Sequence, residues 1–258
     1  MGQTNVDGKR DHHFTWRMKT AMPSALHAWD VSPTEAVTIQ NSLRSRLDLH
    51  SEPQRIETVA GIDVSYEKGS DWLFAAIMVM QFPQLQVLAT ATATALAPFP
   101  YIPGLLSFRE CPVVLQAWEQ LSVKPDCLTC DGQGLAHPRR FGIACHLGLW
   151  FDLPSIGCAK SLLVGTYRTP GHKRGGIEPL VHRNEQVGVI LRTKDGVGPV
   201  FVSQGHKISL AKAIEVVLAC CTKYRLPEAT CQAHLRVNEV RRNAGKAEQA
   251  RHQGALFD

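Results

Sequence analysis

The spacing of hydrophobic residues changes midway along the chain. The first half holds three apolar runs of strand length, at residues 59–66, 73–80 and 85–95, and Phe82-Pro83-Gln84 separates the last two at hairpin distance. The second half holds shorter apolar strands separated by helix-length segments. This order predicts a three-stranded antiparallel meander that leads into parallel strands.

Start and stop signals add the helices. Ser32, Pro33 and Glu35 have the spacing of a capping box with proline at the first helical position, so a helix begins here. The other expected elements are strands at 125–130, 155–159, 186–192 and 199–203, helices from 106 or 112 to 121 and at 140–150, 208–224 and 230–242, and a surface loop at 166–183. They predict an α/β fold whose mixed sheet, the antiparallel three-strand meander plus parallel strands, has helices on both faces. A ribonuclease H-like arrangement fits this order.

Length and composition fit one domain. The chain has 258 residues, of which 44% are hydrophobic and 20% charged, so it can bury one core and is too apolar to be disordered. It contains no run of about 18 apolar residues, and its first residues lack the apolar stretch of a signal peptide. We expect a cytoplasmic monomer that does not contact membranes, with an extension at 1–31, a folded domain at 32–243 and a polar tail at 244–258.

Charge is unevenly distributed along the chain. The net charge is +5, but residues 1–133 carry 10 basic and 14 acidic side chains, and residues 134–258 carry 18 and 9. The basic half suggests a face that attracts a polyanion such as nucleic acid, although the same charges could be scattered in space. Charge alone does not decide between these interpretations.

The eight cysteines lie mostly in apolar segments, as small, reduced core residues do. Cys127 and Cys130 have the spacing of a metal-binding or redox pair, but a strand would direct them to opposite faces of the sheet. A zinc or redox role is therefore not expected.

Two aspartates carry the candidate chemistry. Asp63 interrupts the apolar strand at 59–66, where a lone carboxylate is costly to bury unless it is paired or binds a cation. Asp131 ends the strand at 125–130 in a glycine-rich turn. Neighbouring carboxylates repel each other but together suit Mg²⁺ or Mn²⁺. The alternative, a capped or turn aspartate, is common for Asp131 and uncommon for Asp63.

Five segments closely resemble motifs of the endonuclease V family, which is directed at deoxyinosine. In chain order they are VAGIDVSY at 59–66, PYIPGLLSFRE at 100–110, DGQGLAHPR at 131–139, GCAKS at 157–161 and SQGHKISL at 203–210. The resemblance extends from about residue 33 to 242 without a large gap. It implies a ribonuclease H-like fold and an endonuclease V-like catalytic domain at 32–243.

The resemblance also implies residue roles. The implied catalytic residues are Asp63, Glu110, Asp131, Lys160 and His206, and all of them except Lys160 are implied ligands of Mg²⁺, for which Mn²⁺ could substitute. The implied nucleic-acid-binding residues are Tyr101, Pro103, Gly104, Arg109, Gly134, His137 and Lys160. Tyr101 belongs to a loop that two prolines stiffen, so its ring could separate stacked bases.

The implied function is DNA repair. The enzyme would recognise deoxyinosine, which is deaminated adenine, and would hydrolyse the second phosphodiester bond 3′ to the lesion, leaving 3′-hydroxyl and 5′-phosphate ends. Two alternatives stay open. One is an inosine-specific endoribonuclease acting on single-stranded RNA; the other is a nucleic-acid-binding module that has lost catalysis.

Overall fold

The computed structural model describes residues 25–67 and 69–254. The strands are β1 (Thr58–Tyr66), β2 (Trp72–Gln81), β3 (Val87–Leu96), β4 (Cys127–Cys130), β5 (Ser155–Ala159), β6 (Ile177–His182), β7 (Glu185–Leu191) and β8 (Val200–His206). The helices are α1 (Pro33–Arg44), α2 (Leu106–Glu119), α3 (Ile143–Phe151), α4 (Leu210–Cys220) and α5 (Glu228–Gly254). In this part of the chain no helix is long and apolar enough to cross a membrane.

The eight strands form one mixed sheet in the order β3-β2-β1-β4-β5-β8-β7-β6. The meander β1–β2–β3 is antiparallel, and β1, β4 and β5 are parallel neighbours. The predicted mixed sheet is confirmed. It follows that β1, β4 and β5 end at the same edge.

Helices cover both faces of the sheet, as predicted. Side chains of α2 and α3 form a core with one face, and side chains of α4 and α5 form a core with the other. Cys130 belongs to the first core and Cys127 to the second. The two thiols therefore point to opposite faces, and neither can join the other at a metal ion.

One predicted loop and the predicted end of the last helix were wrong. The expected surface loop at 166–183 contains the edge strand β6, in which Leu180 is almost completely buried. Pro179 hid this strand from pattern analysis, although an edge strand tolerates a proline. The last helix continues to Gly254, well into the expected tail.

The start of the described chain packs onto the domain. Residues 1–24 of the expected extension lie outside the described residues. His27 and Trp29 pack against Phe108 and Trp150 with ring centroids 4.7–6.0 Å apart. The predicted capping box at Ser32 and Glu35 is present at the start of α1.

Candidate active site

Two of the predicted acids meet where β1 and β4 approach their common edge. Ile62 pairs with Cys130, so the next residues along each strand, Asp63 and Asp131, are neighbours. Lys160 follows β5 at the same edge, and its Nζ donates to Asp131 Oδ2 at 2.5 Å. The side chains of Asp63 and Asp131 are only 9% and 14% exposed, so their charges lie close together with little solvent.

Glu110 completes a set of three acids. It lies on α2, and the charges of Asp63 and Asp131 both act on it. Burial and then these two charges raise the pKa of Glu110 to about 8. Burial and the charge of Asp131 likewise raise the pKa of Asp63. Both shifts have the cause expected of carboxylates that share one site.

His234 is a site residue that the sequence did not reveal. Its Nδ1 donates to Asp63 Oδ2 at 2.7 Å, and half of its side chain remains exposed. Helix α5 reaches Asp63 because Gly61 has no side chain; a Cβ there would collide with the backbone of Ala229. A sequence signal existed in the i, i+4 pair His234 and Asn238, which are polar on a predicted helix.

The donor set fits a hard divalent cation. Mg²⁺ and Mn²⁺ prefer carboxylate oxygens, and a cation would relieve the crowding that raises the pKa values of Asp63 and Glu110. As the side chains lie, Lys160 and His234 each engage one carboxylate oxygen. In the described part of the chain, no group of three metal-binding side chains is arranged as a ligand set.

The structure does not bring His206 to this cluster. His206 pairs with Ser155 at the start of β5, whereas Lys160 follows the end of β5. Five residues of strand separate these positions by about 16 Å. His206 contacts the backbone N–H of Asp48 at 3.1 Å and Asp152 at 3.4 Å. Its proposed catalytic and metal-binding role was therefore wrong: the strand that carries it is antiparallel to β5 and ends at the opposite edge.

A cavity opens beside the acids. Its volume is about 330 Å³. Its lining includes Tyr101, Ile102, Pro103, Gly104, Leu106, Ser107, Asp131, Gly132, Gln133, Ile143 and Lys160. Tyr101, on the rim, is 65% exposed. The predicted loop therefore presents its aromatic ring to solvent next to the cavity and the acids.

The loop is held by the carbonyl oxygen of Gly104. This oxygen accepts hydrogen bonds from Gln40 Nε2 (3.1 Å), His137 Nε2 (2.9 Å) and Arg139 Nη2 (2.6 Å). Gly104 has a φ of +80°, which favours glycine. Arg109 holds the start of the loop by donating to the carbonyl oxygen of Phe99 at 2.7 Å.

Three predicted nucleic-acid contacts are thus internal. Arg109 and His137 are almost fully buried and support the loop from beneath. Burial and the charge of Arg139 lower the pKa of His137 to about 4, so this histidine is neutral. Gly134 donates its N–H to Ser203 Oγ and packs against the backbone of Gln204, outside the cavity lining. Arg109 and Gly134 are therefore packing positions, whereas His137, although buried, also lines the cavity.

The mixed sheet opens with a meander, and the acids lie on two of its parallel strands and on a helix beside them. This arrangement defines a nuclease of ribonuclease H-like fold. The family model of endonuclease V matches residues 41–235. The chain belongs to this family and is a nuclease.

Known proteins show the same similarity over nearly the whole chain. Endonuclease V of Myxococcus xanthus is 51% identical over 231 residues, which are 89% of this chain and 98% of that protein. The crystal structure of endonuclease V from Streptomyces avermitilis has a TM-score of 0.81 at 42% identity and covers 84% of this chain and 96% of its own. Endonuclease V of Ciona intestinalis, in complex with a 24mer DNA containing an inosine followed by a ribo-adenosine, has a TM-score of 0.72 at 26% identity, covering 82% and 98%.

Proposed function

We propose that this chain is a DNA repair endonuclease that recognises deoxyinosine and hydrolyses the second phosphodiester bond 3′ to it, leaving 3′-hydroxyl and 5′-phosphate ends. The proposed partner is inosine-containing nucleic acid, and the proposed cofactor is Mg²⁺, with Mn²⁺ as a substitute. One observation carries the proposal: crowded carboxylates lie beside a cavity whose rim presents an exposed tyrosine.

The acids would hold the metal. Asp63, Glu110 and Asp131 are the proposed ligands, and a bound metal ion would supply an activated water and charge stabilisation at the scissile phosphate. Lys160 keeps its proton at neutral pH: burial opposes the charge, but the hydrogen bond to Asp131 raises the pKa of Lys160. It is therefore suited to contact a phosphate oxygen.

The cavity would receive the damaged base. A base in a duplex is stacked, so an enzyme that inspects it must bring it out of the stack. Tyr101 would fill the gap that the base leaves, since its loop is held from beneath by Gln40, His137 and Arg139. A cavity of about 330 Å³ is of the size that binds small molecules.

Cleavage of labelled strands tests the proposal. Strands that carry inosine or adenine at one position would be incubated with Mg²⁺, with Mn²⁺ or with a chelator, and the product ends would be identified. We expect one cut near inosine, dependent on metal, and no cut in the adenine strand. Cleavage that ignores inosine or survives chelation would contradict the proposal.

RNA is the second candidate substrate. The Ciona intestinalis complex contains an inosine followed by a ribo-adenosine, so a ribonucleotide beside the lesion is compatible with a relative of this fold. Matched inosine strands made of DNA, of RNA, or of DNA with one ribonucleotide after the inosine would separate the two. A much higher kcat/KM on RNA would make the chain an endoribonuclease.

A further inference from the structure

Gln133 carries a polar atom that the proposed chemistry does not use. Gln133 lies two residues after Asp131, in the turn that follows β4. It lines the cavity and is 7% exposed. Its Oε1 is buried and has no hydrogen-bond partner among the residues that the structure describes. A buried acceptor without a donor is destabilising, so this oxygen is better explained by a ligand that brings one.

The orientation of the Gln133 amide is fixed by its other end. Nε2 donates to the carbonyl oxygen of Ser161 at 3.0 Å. A carbonyl oxygen only accepts hydrogen bonds, so the nitrogen must face Ser161, and the oxygen must be the atom without a partner.

The backbone around Gln133 is held in place as well. The Gln133 carbonyl oxygen accepts from the N–H of Ala144 at 3.1 Å, and the Gly134 carbonyl oxygen accepts from the N–H of Gly142 at 3.0 Å. On the other side the turn lies directly on Gly157 of β5, where a Cβ would collide with it. The turn that carries the unpaired oxygen is thus held in place before any ligand arrives.

We propose that Gln133 is a specificity-determining residue whose Oε1 accepts the N1–H of hypoxanthine. Hypoxanthine carries a hydrogen on N1, whereas N1 of adenine is an unprotonated acceptor that would face this oxygen. A site built around a hydrogen bond rejects an analogue that lacks the matching group, because its own polar atom is then left unpaired. The inference rests on the proposed function, since it assumes that the inspected base enters this cavity.

Substitution of Gln133 tests this role. Gln133→Met keeps most of the side-chain volume and removes the acceptor, and Gln133→Glu restores one. The kcat/KM values would be measured on strands with inosine, adenine or unsubstituted purine, a base without N1–H, at the same position. We expect Gln133→Met to lose about 10- to 100-fold on inosine alone, and Gln133→Glu to recover a preference for inosine over purine.

Gln40→Met is the matched control. Gln40 is a second buried glutamine in the lining, but both ends of its amide are engaged, by Gly104, Phe141 and Arg139. Its loss loosens the Tyr101 loop, which carries no group proposed to contact N1–H, so the ratio of inosine to purine cleavage should fall no further than in a Tyr101→Ala variant. A fall of only that size in Gln133→Met, or no fall, would overturn the role of Gln133. If the unmodified enzyme does not prefer inosine over adenine, the proposed function itself fails, which is a separate result.

Discussion

A histidine, aspartates and a lysine lie near each end of β5, and only one of the two groups has the chemistry of an active site. Beyond the end of β5, Lys160 pairs with Asp131 next to the pair of His234 and Asp63. At its start, Lys207 and His206 both contact Asp152. The residue types are the same, so residue type does not explain the difference.

Burial and crowding of the carboxylates explain it. The side chain of Asp152 is 70% exposed; its slight burial is outweighed by hydrogen bonds from Lys207 and His206, which lower the pKa of its carboxyl. Asp63 is instead buried and Glu110 half-buried beside a third acid, and the pKa values of both are raised. The charge of Asp152 is already balanced by Lys207 and His206, whereas the crowded acids would be stabilised by a bound cation.

Loss of one acid at each end should give the largest contrast. Asp131→Asn removes a proposed metal ligand, so we expect cleavage of the inosine strand to fall by about 10³-fold. Asp152→Asn should change cleavage less than about twofold. Single-turnover rates with saturating Mg²⁺ measure both, and equal losses in the two variants would remove the distinction between the two ends.

The two histidines should differ by a smaller factor. His234→Ala is expected to lower the cleavage rate by about 10²-fold, because the histidine contacts Asp63, a proposed metal ligand. His206→Ala should leave the rate of the folded protein nearly unchanged and lower the free energy of unfolding, because it breaks contacts with Asp48 and Asp152. Urea unfolding run in parallel would separate the two effects. A large rate loss in folded His206→Ala would restore the role that its motif implied.

Tyr101 should matter for discrimination more than for the chemical step. Tyr101→Ala removes the exposed ring next to the acids, and stacking of a base on an aromatic ring contributes about 1–3 kcal/mol. We expect the preference for inosine over adenine in kcat/KM to fall about tenfold, with the Mg²⁺ concentration needed for cleavage unchanged. If the metal requirement changes and discrimination does not, the loop acts on the acids rather than on the base.

The smallest expected effect concerns pH and stability at the far end of β5. Burial lowers the pKa of His206. As pH falls below about 6.5, the unfolded chain takes up a proton that the folded chain does not, and the free energy of unfolding decreases by up to about 1.4 kcal/mol per pH unit. His206→Gln should remove this contribution.

Comparing the unmodified protein with the His206→Gln variant separates the contribution of His206 to the free energy of unfolding from that of the other titratable groups. Glu110, with a pKa raised to about 8, acts in the opposite direction because the folded protein holds its proton more tightly. Unfolding measured between pH 7 and 5 should show a shallower decline in the His206→Gln variant. Parallel curves for the two proteins would contradict this, because they would mean that the pKa of His206 is the same in the folded and unfolded chains.

Most of the fold was predictable because local patterns decide it. The meander and the buried strands were predicted from apolar runs. The acid on β1 was predicted because it interrupts such a run, and the acid after β4 because it ends one. Strand β6 escaped because its pairing with β7 compensates for Pro179 and its polar residues. Such compensation comes from the neighbouring strand and leaves no local signal.

The site was harder to predict because long-range packing completes it. His234 reaches Asp63 from 171 residues away, through a helix contact at Gly61 that no local pattern reveals. His206 was misplaced for the converse reason, since a local motif does not determine at which edge of the sheet its strand ends. Arg109 illustrates the same limit: expected to contact nucleic acid, it donates to the backbone carbonyl oxygen of Phe99 inside the protein.

The triple hydrogen bond to the Gly104 carbonyl has a thermodynamic consequence. Ordering a loop costs conformational entropy, and a loop that becomes ordered only on binding loses that entropy from its affinity. Here Gln40, His137 and Arg139 order the Tyr101 loop while the protein folds. If the proposed function is right, a strand would meet the ring already in position, and the binding energy of the flanking nucleotides would remain available for extracting the base.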